Sequence, residues 1–498
     1  MGFKSFLSKP IAAFIAWQTS KWSNAPHQSQ QKIFEQIISK AKHTKFGRDH
    51  QFQAISSHSD FVKNVPVRDY EQLSSYIKLM LDGEDDVLWP GKPLYFSKTS
   101  GTTSGVKYIP ISKESISNHI NAARNALLLY INETGKSEFV DGKLIFLSGS
   151  PTLDKKAGIP TGRLSGIVNH HVPSYLRSNQ MPNMETNCIE DWEQKVDRIV
   201  EETLHEDMTL ISGIPPWVQM YFDRLTEKTG KRIKEIFPNF GLFVYGGVNF
   251  EPYRSKLEKS IGGKIDTIEL YPASEGFIAY QDKQPSQGLL LNLNDGIFYE
   301  FIKAADFFNA DAKRIELKDV ELDINYAIIL STNAGLWAYN IGDTVKFVSL
   351  APYRIIVSGR IKHFISAFGE HVIAEEVEFA MKAASEKFNL KIVEFTVAPQ
   401  VNPVSGALPY HEWLIEFEEE PKELNVIAQF IDKLMQDKNV YYADLIEGNI
   451  LQPLKISLLT KNAFINYMRS EGKLGGQNKV PRLSNDRSLA DQLKQWLV

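Results

Sequence analysis

The chain has 498 residues, of which 43% are hydrophobic and 23% charged, and its formal net charge is -4. A chain of this length is too long for one compact core, so two or more domains are expected. With 56 basic and 60 acidic residues, no basic excess points to nucleic acid or to an anionic membrane. The single Cys188 excludes an intramolecular disulfide and a multi-cysteine zinc site. We therefore expect a cytoplasmic protein, although a secreted protein without disulfides would have the same composition.

The N-terminal segment MGFKSFLSKPIAAFIAWQTSKW has Lys4 and Lys9 before a short apolar run from Ile11 to Trp17. The run is too short for a signal peptide, and no small-x-small cleavage site follows it. Phe6 stands where the myristoylation pattern requires Ser or Thr. No apolar run approaches the roughly 20 residues of a membrane span, so no stable membrane insertion is expected. We interpret the segment as an amphipathic helix packed on the body, with reversible membrane association as the alternative.

Helical and apolar patterns alternate along the first two thirds of the chain. A helix is predicted first, with one apolar stripe made of Ile33, Phe34, Ile37, Ile38 and Ala41. Apolar runs predict strands at 143–150, 209–212, 240–247 and 265–271. Helices are predicted between them, in DWEQKVDRIVEETL and in the segment that opens with Pro215 and Pro216.

This alternation favours a parallel sheet covered by helices on both faces. Ligands of such sheets lie beyond the carboxyl ends of the strands. The polar and glycine-rich segments that follow the strands are therefore expected to converge.

The pattern changes from about Gly359 onward. A helix in AEEVEFAMKAASEKF, an alternating strand in HEWLIEF, a helix in LNVIAQFIDKLMQD and a strand in LKISLL predict a small α+β domain. The whole chain is thus predicted to be an α/β protein. A large N-terminal domain, residues 1–357, has mixed sheets and covering helices, and a small mobile α+β domain follows at 358–498.

The stretch YFSKTSGTTSGVKYIPIS holds four Ser/Thr and two Gly between Ser100 and Gly105, with Lys107 close behind. A loop of this composition between strands offers amides and hydroxyls to a phosphate chain, and Lys107 adds charge. A Walker A loop would need glycine before Lys107 and Ser or Thr after it, so a P-loop kinase or GTPase is disfavoured. A solvated surface turn is the simpler alternative.

Further segments strengthen the case for a nucleotide. In YPASEG, Tyr271 is placed to stack on a base and Glu275 to coordinate Mg²⁺ near the phosphates. In YNIGDTVKF, Asp343 stands where a strand is predicted to open, and a carboxylate there can accept both ribose hydroxyls. Ordinary turns are the alternatives for both segments. Cations follow at the domain junction and near the C-terminus, at Arg360, Lys362 and Lys479.

Taken in order, these motifs resemble the adenylate-forming superfamily of acyl-CoA synthetases and firefly luciferase. The set is TSGTTSGxK, YxASEG, YxxGD, GRxK, GExVxxEEVE and NKVPR. Within that superfamily the chain is most similar to the auxin-responsive acyl-acid amido synthetases. Those are plant enzymes that conjugate auxin and jasmonate to amino acids, and they have bacterial relatives. The phrases HTKFGRDHQF, FYEF and NKVPRL extend the likeness from about Gln28 to Leu483.

The resemblance implies an ATP-dependent ligase with ATP and Mg²⁺ as cofactors. Such an enzyme adenylates a small carboxylic acid and transfers the acyl group to the amine of an amino acid, releasing AMP and pyrophosphate. Carried over by motif, the residues that would hold the ATP phosphates are Ser100, Gly101, Thr102, Thr103, Ser104, Gly105 and Lys107. The adenine would lie along Gly246, Gly247 and Val248, the rest of the nucleotide pocket would be formed by Tyr271, Ala273, Ser274 and Glu275, and the ribose would be bound by Asp343 and Arg360. Lys362 and Lys479 would approach the α-phosphate, and Glu275 would hold the metal. His363 stands where acyl-CoA synthetases carry Asp, so the hinge residue and the adenylating lysine stay open.

An apolar pocket for the acid is predicted between the phosphate loop and the middle of the large domain. Its predicted lining is Leu164, Val168, Tyr175, Trp217 and Tyr299, with Arg163 on the carboxylate. Plain core packing is the alternative for each apolar residue.

Two other functions compete with the amide ligase. One is an acyl-CoA synthetase with a thiol acceptor, and the other is a nucleotide-binding module without turnover. The expected partners are a small carboxylic acid and an amino acid, with no nucleic acid, and the expected assembly is a monomer or weak homodimer.

Overall fold

The computed structural model describes residues 2–498 apart from 101–105, 173–176, 248–249, 310, 362–363, 366–369, 371, 402, 404–406, 448–449, 476–477 and 485. Only the backbone is described at seven further positions, which are Ser100, Glu251, Pro252, Phe364, Ile365, Val440 and Tyr441.

The helices of the described residues run in chain order as follows: α1 (Phe3–Ser23), α2 (Pro26–Ala41), α3 (Lys45–Asp49), α4 (His58–Asn64), α5 (Tyr70–Leu81), α6 (Lys113–Thr134), α7 (Leu164–Asn169), α8 (Met184–Asn187), α9 (Trp192–Thr203), α10 (Pro215–Thr229), α11 (Ile233–Ile236), α12 (Glu251–Ile261), α13 (Ala374–Phe388), α14 (Leu424–Lys438), α15 (Val440–Glu447), α16 (Ala463–Ser470) and α17 (Ser488–Leu493). Within the described ranges, none of them combines the length and hydropathy that a bilayer crossing requires.

The strands of the described residues are β1 (Tyr95–Ser100), β2 (Val106–Ile111), β3 (Lys143–Phe146), β4 (Asp154–Lys156), β5 (Ile159–Gly162), β6 (Gln180–Met181), β7 (Met208–Ser212), β8 (Leu242–Gly246), β9 (Asp266–Ala273), β10 (Gly276–Tyr280), β11 (Leu289–Leu291), β12 (Ile297–Lys303), β13 (Ile315–Glu316), β14 (Asn325–Thr332), β15 (Tyr339–Leu350), β16 (Tyr353–Arg360), β17 (Phe364–Ile365), β18 (Val372–Ile373), β19 (Ile392–Gln400), β20 (Tyr410–Phe417) and β21 (Lys455–Leu459).

The chain divides into two compact units. The first unit comprises residues 1–213, 234–247 and 265–356, and the second comprises 214–233, 248–264 and 357–498. Helices α10 and α12 thus group with the second unit, although they lie within the predicted large domain. The predicted boundary at residue 357 and the predicted mobility of the smaller domain both stay predictions.

A twelve-stranded sheet dominates the first unit, in the order β13-β12-β14-β15-β16-β11-β10-β9-β8-β7-β3-β6. The five strands β6, β3, β7, β8 and β9 run parallel to one another. Beyond β9, the pairings β9-β10, β10-β11, β11-β16, β12-β13, β12-β14 and β14-β15 are antiparallel. The prediction of an α/β fold with mixed sheets is confirmed, whereas the parallel arrangement read from the alternating patterns holds for only part of this sheet.

The parallel strands end at one edge of the sheet, as the sequence predicted. Phe146 of β3 pairs with Ser212 of β7, which pairs with Val244 of β8. Gly246 at the end of β8 pairs with Leu270, three residues before the end of β9. The polar and glycine-rich segments after these strands therefore start next to one another.

A separate four-stranded sheet has the order β2-β1-β5-β4. Strand β1 is antiparallel to β2 and parallel to β5, with Phe96 opposite Thr161 and Ser97 opposite Gly162. The predicted phosphate loop, residues 101–105, joins β1 to β2. The loop itself lies outside the described residues.

The second unit has the α+β character that the sequence predicted. Strands β19, β20 and β21 form a three-stranded sheet, and helices α13 and α14 bury apolar residues in its core. The strand HEWLIEF was predicted to bury Trp413, Ile415 and Phe417 on one face, and they are buried. Its other face is buried as well, because Glu416 accepts the amides of Asn462 and Phe464.

Buried His119 on α6 makes the stability of the first unit depend on pH. Burial lowers the pKa of His119 from 6.5 to about 4, and its Nδ1 has no hydrogen-bond partner in the part of the chain described. Since the unfolded chain binds the proton between pH 6.5 and 4 and the folded chain does not, stability falls as the pH is lowered through this range. We expect a loss of about 2 kcal/mol between pH 7.5 and 5 from this residue alone.

Urea unfolding of the wild type and of His119→Phe at both pH values measures this contribution. The variant should lose about 2 kcal/mol less than the wild type on acidification. Equal losses in the two proteins would show that His119 carries its proton in the folded state.

Candidate active site

The turn between β9 and β10 is held next to the strand that enters the predicted phosphate loop. The hydroxyl oxygens of Ser97 on β1 and Ser274 in the turn are 2.9 Å apart, in hydrogen-bond contact. Ser100 ends the same strand, and its side chain lies outside the described residues, as do Gly101, Thr102, Thr103, Ser104 and Gly105. The first and second predicted motifs are therefore neighbours, although Ser97 and Ser274 are 177 positions apart in sequence.

Tyr271 and Asp343 form the second contact between predicted motifs. The Tyr271 hydroxyl donates a 2.7 Å hydrogen bond to Oδ2 of Asp343. The ring of Tyr271 is buried in an apolar cluster with Ile278 and Tyr299, while Asp343 is half-buried. Base stacking by Tyr271 and ribose binding by Asp343 stay predictions, but the two side chains occupy one site.

A β-bulge in β15 orients the Asp343 side chain toward Tyr271. The strand was predicted to open after Gly342, but β15 begins earlier, at Tyr339. Ala327 of β14 pairs with Thr344 and Ile329 pairs with Asn340, so three residues of β15 bulge opposite one of β14. Gly342 has φ +86°, a left-handed conformation that glycine adopts without strain. Such bulges turn a side chain out of the regular alternation of the strand.

The glycine pair after β8 has a structural explanation of its own. A Cβ on Gly246 would lie 2.4 Å from the carbonyl oxygen of Leu270, and Gly247 has φ +85°. Close packing of β8 against β9 therefore requires glycine at 246 whether or not an adenine lies there. The third predicted residue, Val248, lies outside the described residues.

Three further residues predicted to bind the nucleotide or its metal are Lys107, Ala273 and Glu275. Lys107 lies on β2 with its Nζ 5.5 Å from the centre of the Tyr70 ring. Ala273 ends β9, and half-buried Glu275 stands in the turn beside Ser274. A single carboxylate at this position fits Mg²⁺, which proteins often hold through one or two carboxylates plus substrate phosphates.

Part of the predicted acid pocket also lies next to β1. Arg163 lies between the end of β5 and the start of α7, where it is the N-cap residue. Leu164 and Val168 of α7 share an apolar cluster with Tyr95 at the start of β1. Burial lowers the pKa of Arg163, and Glu190 partly offsets this. An arginine that is largely withdrawn from water suits a carboxylate ligand.

The other predicted pocket residues do not share this cluster. Tyr299 is fully buried in the core around Tyr271, and its hydroxyl donates to the carbonyl oxygen of Asn292 at 3.1 Å. Trp217 is buried at the start of α10 in the second unit. Tyr175 lies outside the described residues. The contribution of these three side chains to acid binding stays a prediction.

Among the described residues, two of the predicted cationic side chains, Arg360 and Lys479, belong to the second unit. Arg360 is exposed at the end of β16, and Lys479 is exposed shortly before the segment Val480–Leu483. Lys362 lies outside the described residues. The roles of Lys362 and Lys479 in adenylation stay predictions.

Arg482 anchors the segment that carries Lys479, and sequence reasoning gave it no role. Its guanidinium bonds to Glu394 of β19 and to the Tyr253 hydroxyl of α12, and its Nε lies 3.3 Å from Glu378 of α13. The Arg482 carbonyl also accepts the Val397 amide at 2.9 Å. The only sequence signal was the position of Arg482 inside the NKVPR motif.

Lys195 is the second residue that sequence reasoning missed. It is buried on α9, where its Nζ donates to the carbonyl oxygens of Ser148 at 2.9 Å and Asn187 at 2.7 Å. Burial lowers the pKa of Lys195 to about 8. The lysine ties the segment after β3 to the end of α8, close to the edge where the parallel strands end. Lys195 lies on the same buried side of α9 as Trp192, Val196 and Ile199, and this position in the sequence could have indicated that the lysine is buried.

The overall fold is that of acyl acid amido synthetases. A solved structure described as GH3.15 acyl acid amido synthetase superposes with a TM-score of 0.80 at 17% identity, covering 98% of this chain and 96% of that one. At this identity the likeness shows the fold alone.

Family models identify the chain itself. The GH3 family N-terminal domain matches residues 17–188 and 163–265, the GH3 family central domain 290–360, and the GH3 family C-terminal domain 375–488. The chain belongs to the GH3 family, which confirms the resemblance seen in its motifs.

Two curated relatives are similar along nearly their whole length. An indole-3-acetic acid-amido synthetase of Arabidopsis thaliana is 22% identical, over 94% of this chain and 91% of the relative. A jasmonoyl-L-amino acid synthetase of Nicotiana attenuata is 21% identical, over 93% of this chain and 92% of the relative. The names of both relatives describe ligation of an acid to an amino acid, the reaction class that the motifs predicted.

Proposed function

We propose that the chain is an ATP-dependent ligase that adenylates a small carboxylic acid and transfers the acyl group to the amine of an amino acid. The observation that carries the proposal is the hydrogen bond between Tyr271 and Asp343, made at the strand edge that Ser97 and Ser274 join to the phosphate-loop strand. It supports a single nucleotide site built from separate motifs. The relatives named above are enzymes of this reaction class.

The site supplies an orienting hydrogen bond for the ribose. The Tyr271 hydroxyl donates to Oδ2 of Asp343, and because an ionised carboxylate offers about four acceptor sites, the same group can also accept a ribose hydroxyl. Hydrogen bonds to an ionised carboxylate are roughly twice as strong as neutral ones. Asp343 therefore fixes the sugar, and Tyr271 fixes Asp343.

The chemistry demands positive charge because it brings two anions together. A carboxylate is a poor acyl donor, and ATP when bound supplies the AMP group that leaves readily once an amine attacks. In this chain Arg163 holds the carboxylate of the acid, Lys107 lies on the phosphates, and Lys479 or Lys362 compensates the charge that develops at the α-phosphate. Glu275 would hold Mg²⁺, which would supply further positive charge at the phosphates. A flexible lysine suits the role of a point charge better than a planar arginine does.

We propose a cytoplasmic location and a monomer or weak homodimer for the same chain. The single cysteine supports the location. Size-exclusion chromatography with light scattering across a concentration series measures the assembly.

Acid-dependent exchange of radioactive pyrophosphate into ATP tests the proposed first step. The acid library should contain aromatic, aliphatic and benzoate-type acids, together with indole-3-acetate and jasmonate because the relatives' names contain them. We expect exchange above background with at least one acid. ATP binding without exchange for any acid would favour the nucleotide-binding module.

The acceptor is then tested with the acid that gives the strongest exchange. AMP release is measured with a panel of amino acids and, separately, with coenzyme A. Stimulation by an amino acid together with the corresponding amide product supports the ligase. Stimulation by coenzyme A alone would assign the chain to the acyl-CoA synthetases.

A further inference from the structure

Helix α1 exposes a stripe of large apolar side chains. Their exposed fractions lie between 44% and 77%. The stripe consists of Phe3, Phe6, Leu7, Ile11, Phe14 and Trp17. At 100° per residue these positions fall on one side of the helix. Contiguous exposed apolar surface of this kind marks a binding surface more often than single exposed residues do.

The opposite side of α1 holds the helix on the first unit. Its buried residues are Ser5, Ala12, Ile15 and Thr19, and the Ser5 hydroxyl meets the Ser137 hydroxyl at 2.6 Å. The Asp141 carboxylate accepts the amide of Gly2 at 2.8 Å and that of Ser5 at 3.3 Å. The helix thus places mostly small side chains against the body and aromatic ones outward. The interpretation of this segment as a helix packed on the body is confirmed, and its largest apolar side chains lie on the side that faces away from the body.

The charged residues of the N-terminal segment are all basic. Residues 1–34 contain Lys4, Lys9, Lys21 and Lys32 and no Asp or Glu, whereas the whole chain carries a net charge of -4. Lys9 and Lys21 are exposed on α1, and Nζ of Lys21 lies 3.4 Å from the centre of the Trp17 ring. Aromatic residues flanked by lysines are typical of helices that lie in a membrane interface.

We propose that α1 docks the protein on a lipid bilayer that contains anionic headgroups. The helix lies in the plane of the interface, with the Phe and Trp side chains among the upper acyl chains and Lys9 and Lys21 on the headgroups. Its 21 residues give a contact about 30 Å long. Because no helix of the described residues can cross a bilayer, the association is peripheral.

A second copy of the chain fits the same stripe less well. Pairing two α1 helices would bring Lys9 and Lys21 of both copies into one contact. Residues 1–34 offer no carboxylate to compensate them, and like charges in a contact oppose association. An anionic bilayer supplies the missing negative charge and the apolar environment together.

Flotation of the purified full chain with vesicles tests the proposal. We expect binding to vesicles of phosphatidylcholine mixed with phosphatidylglycerol, and binding at least roughly tenfold weaker to pure phosphatidylcholine vesicles. High salt should weaken the binding to the anionic vesicles. No binding of the wild type to anionic vesicles would overturn the proposal.

Two variants assign the binding to α1. Phe6→Ser/Phe14→Ser/Trp17→Ser removes the apolar contact, and Lys9→Glu/Lys21→Glu reverses the charge while leaving the apolar residues in place. Both should bind anionic vesicles at least about tenfold more weakly than the wild type. The matched control is Phe308→Ser, which removes an equally exposed Phe outside α1 and should bind like the wild type. Retained binding in both α1 variants would place the membrane contact elsewhere and contradict the proposal.

Two further readouts separate the alternatives. Sedimentation velocity without lipid detects a second copy, and a dimer that the triple variant abolishes, without vesicle binding, would assign the stripe to self-association. Pyrophosphate exchange in solution should be the same for the wild type and both α1 variants. This readout confirms that the variants are folded, and it is independent of the lipid result, so failure of the proposed enzymatic function and failure of membrane docking are distinguishable.

Discussion

Asp343→Ala is expected to lower kcat/KM for ATP in acid-dependent pyrophosphate exchange by roughly 10²- to 10³-fold. The substitution removes the carboxylate that accepts the Tyr271 hydroxyl and, in the proposed site, the ribose hydroxyls. Each hydrogen bond to a charged group contributes about 1.5–3 kcal/mol, and two such bonds account for an effect of this size. Exchange measured against ATP concentration separates the loss in KM from the loss in kcat.

Tyr271→Phe is the matched control, because it deletes only the hydroxyl that orients Asp343. We expect a loss of roughly tenfold or less. The double variant should be no worse than Asp343→Ala, since Tyr271 acts through Asp343 and the two effects are not additive. An unchanged unfolding midpoint shows that Asp343→Ala is folded. If this folded variant exchanges pyrophosphate within about threefold of the wild-type rate, Asp343 is not part of the nucleotide site.

Lys479→Ala is expected to suppress pyrophosphate exchange by roughly 10²- to 10³-fold and to leave ATP binding largely intact. The reason is that a charge aimed at the reacting phosphate stabilises the transition state more than the bound nucleotide. ATP binding is measured by calorimetry without acid, and exchange is measured with the best acid of the library. Unchanged exchange would exclude Lys479 from this role.

Lys473→Ala is the control for general charge effects, because Lys473 is also exposed in the same stretch, with Glu471 as its partner at 3.4 Å. It should exchange like the wild type. Lys362→Ala decides between the two candidate lysines. Loss of exchange in Lys362→Ala alone would transfer the adenylation role from Lys479 to Lys362.

Family, fold class and reaction class were all predictable from the chain. The reason is that each motif is a short contiguous string whose residue types the chemistry requires, and their order along the chain identified the family that the domain models confirm. Local periodicity was equally informative for helices. The apolar stripe of α2 and the two prolines at the start of α10 lie where they were predicted.

Strand direction was less accessible from the sequence. A buried strand has the same apolar composition whether its neighbour runs parallel or antiparallel to it. The strand segments before and after β9 therefore looked alike, although the pairings change direction between β9 and β10. Only the two-residue turn at Ser274 and Glu275 decides that β10 returns antiparallel.

By itself, the sequence determined the GH3 family and the positions of the predicted nucleotide-binding motifs, because those features depend on residue type and local spacing. Only the tertiary structure decided that Tyr271 meets Asp343 across 72 positions, that a bulge aims Asp343, and that α1 turns its aromatic side outward. These features depend on which distant surfaces pack together. Helical periodicity shows that α1 has two faces, but it does not show which of them the body covers.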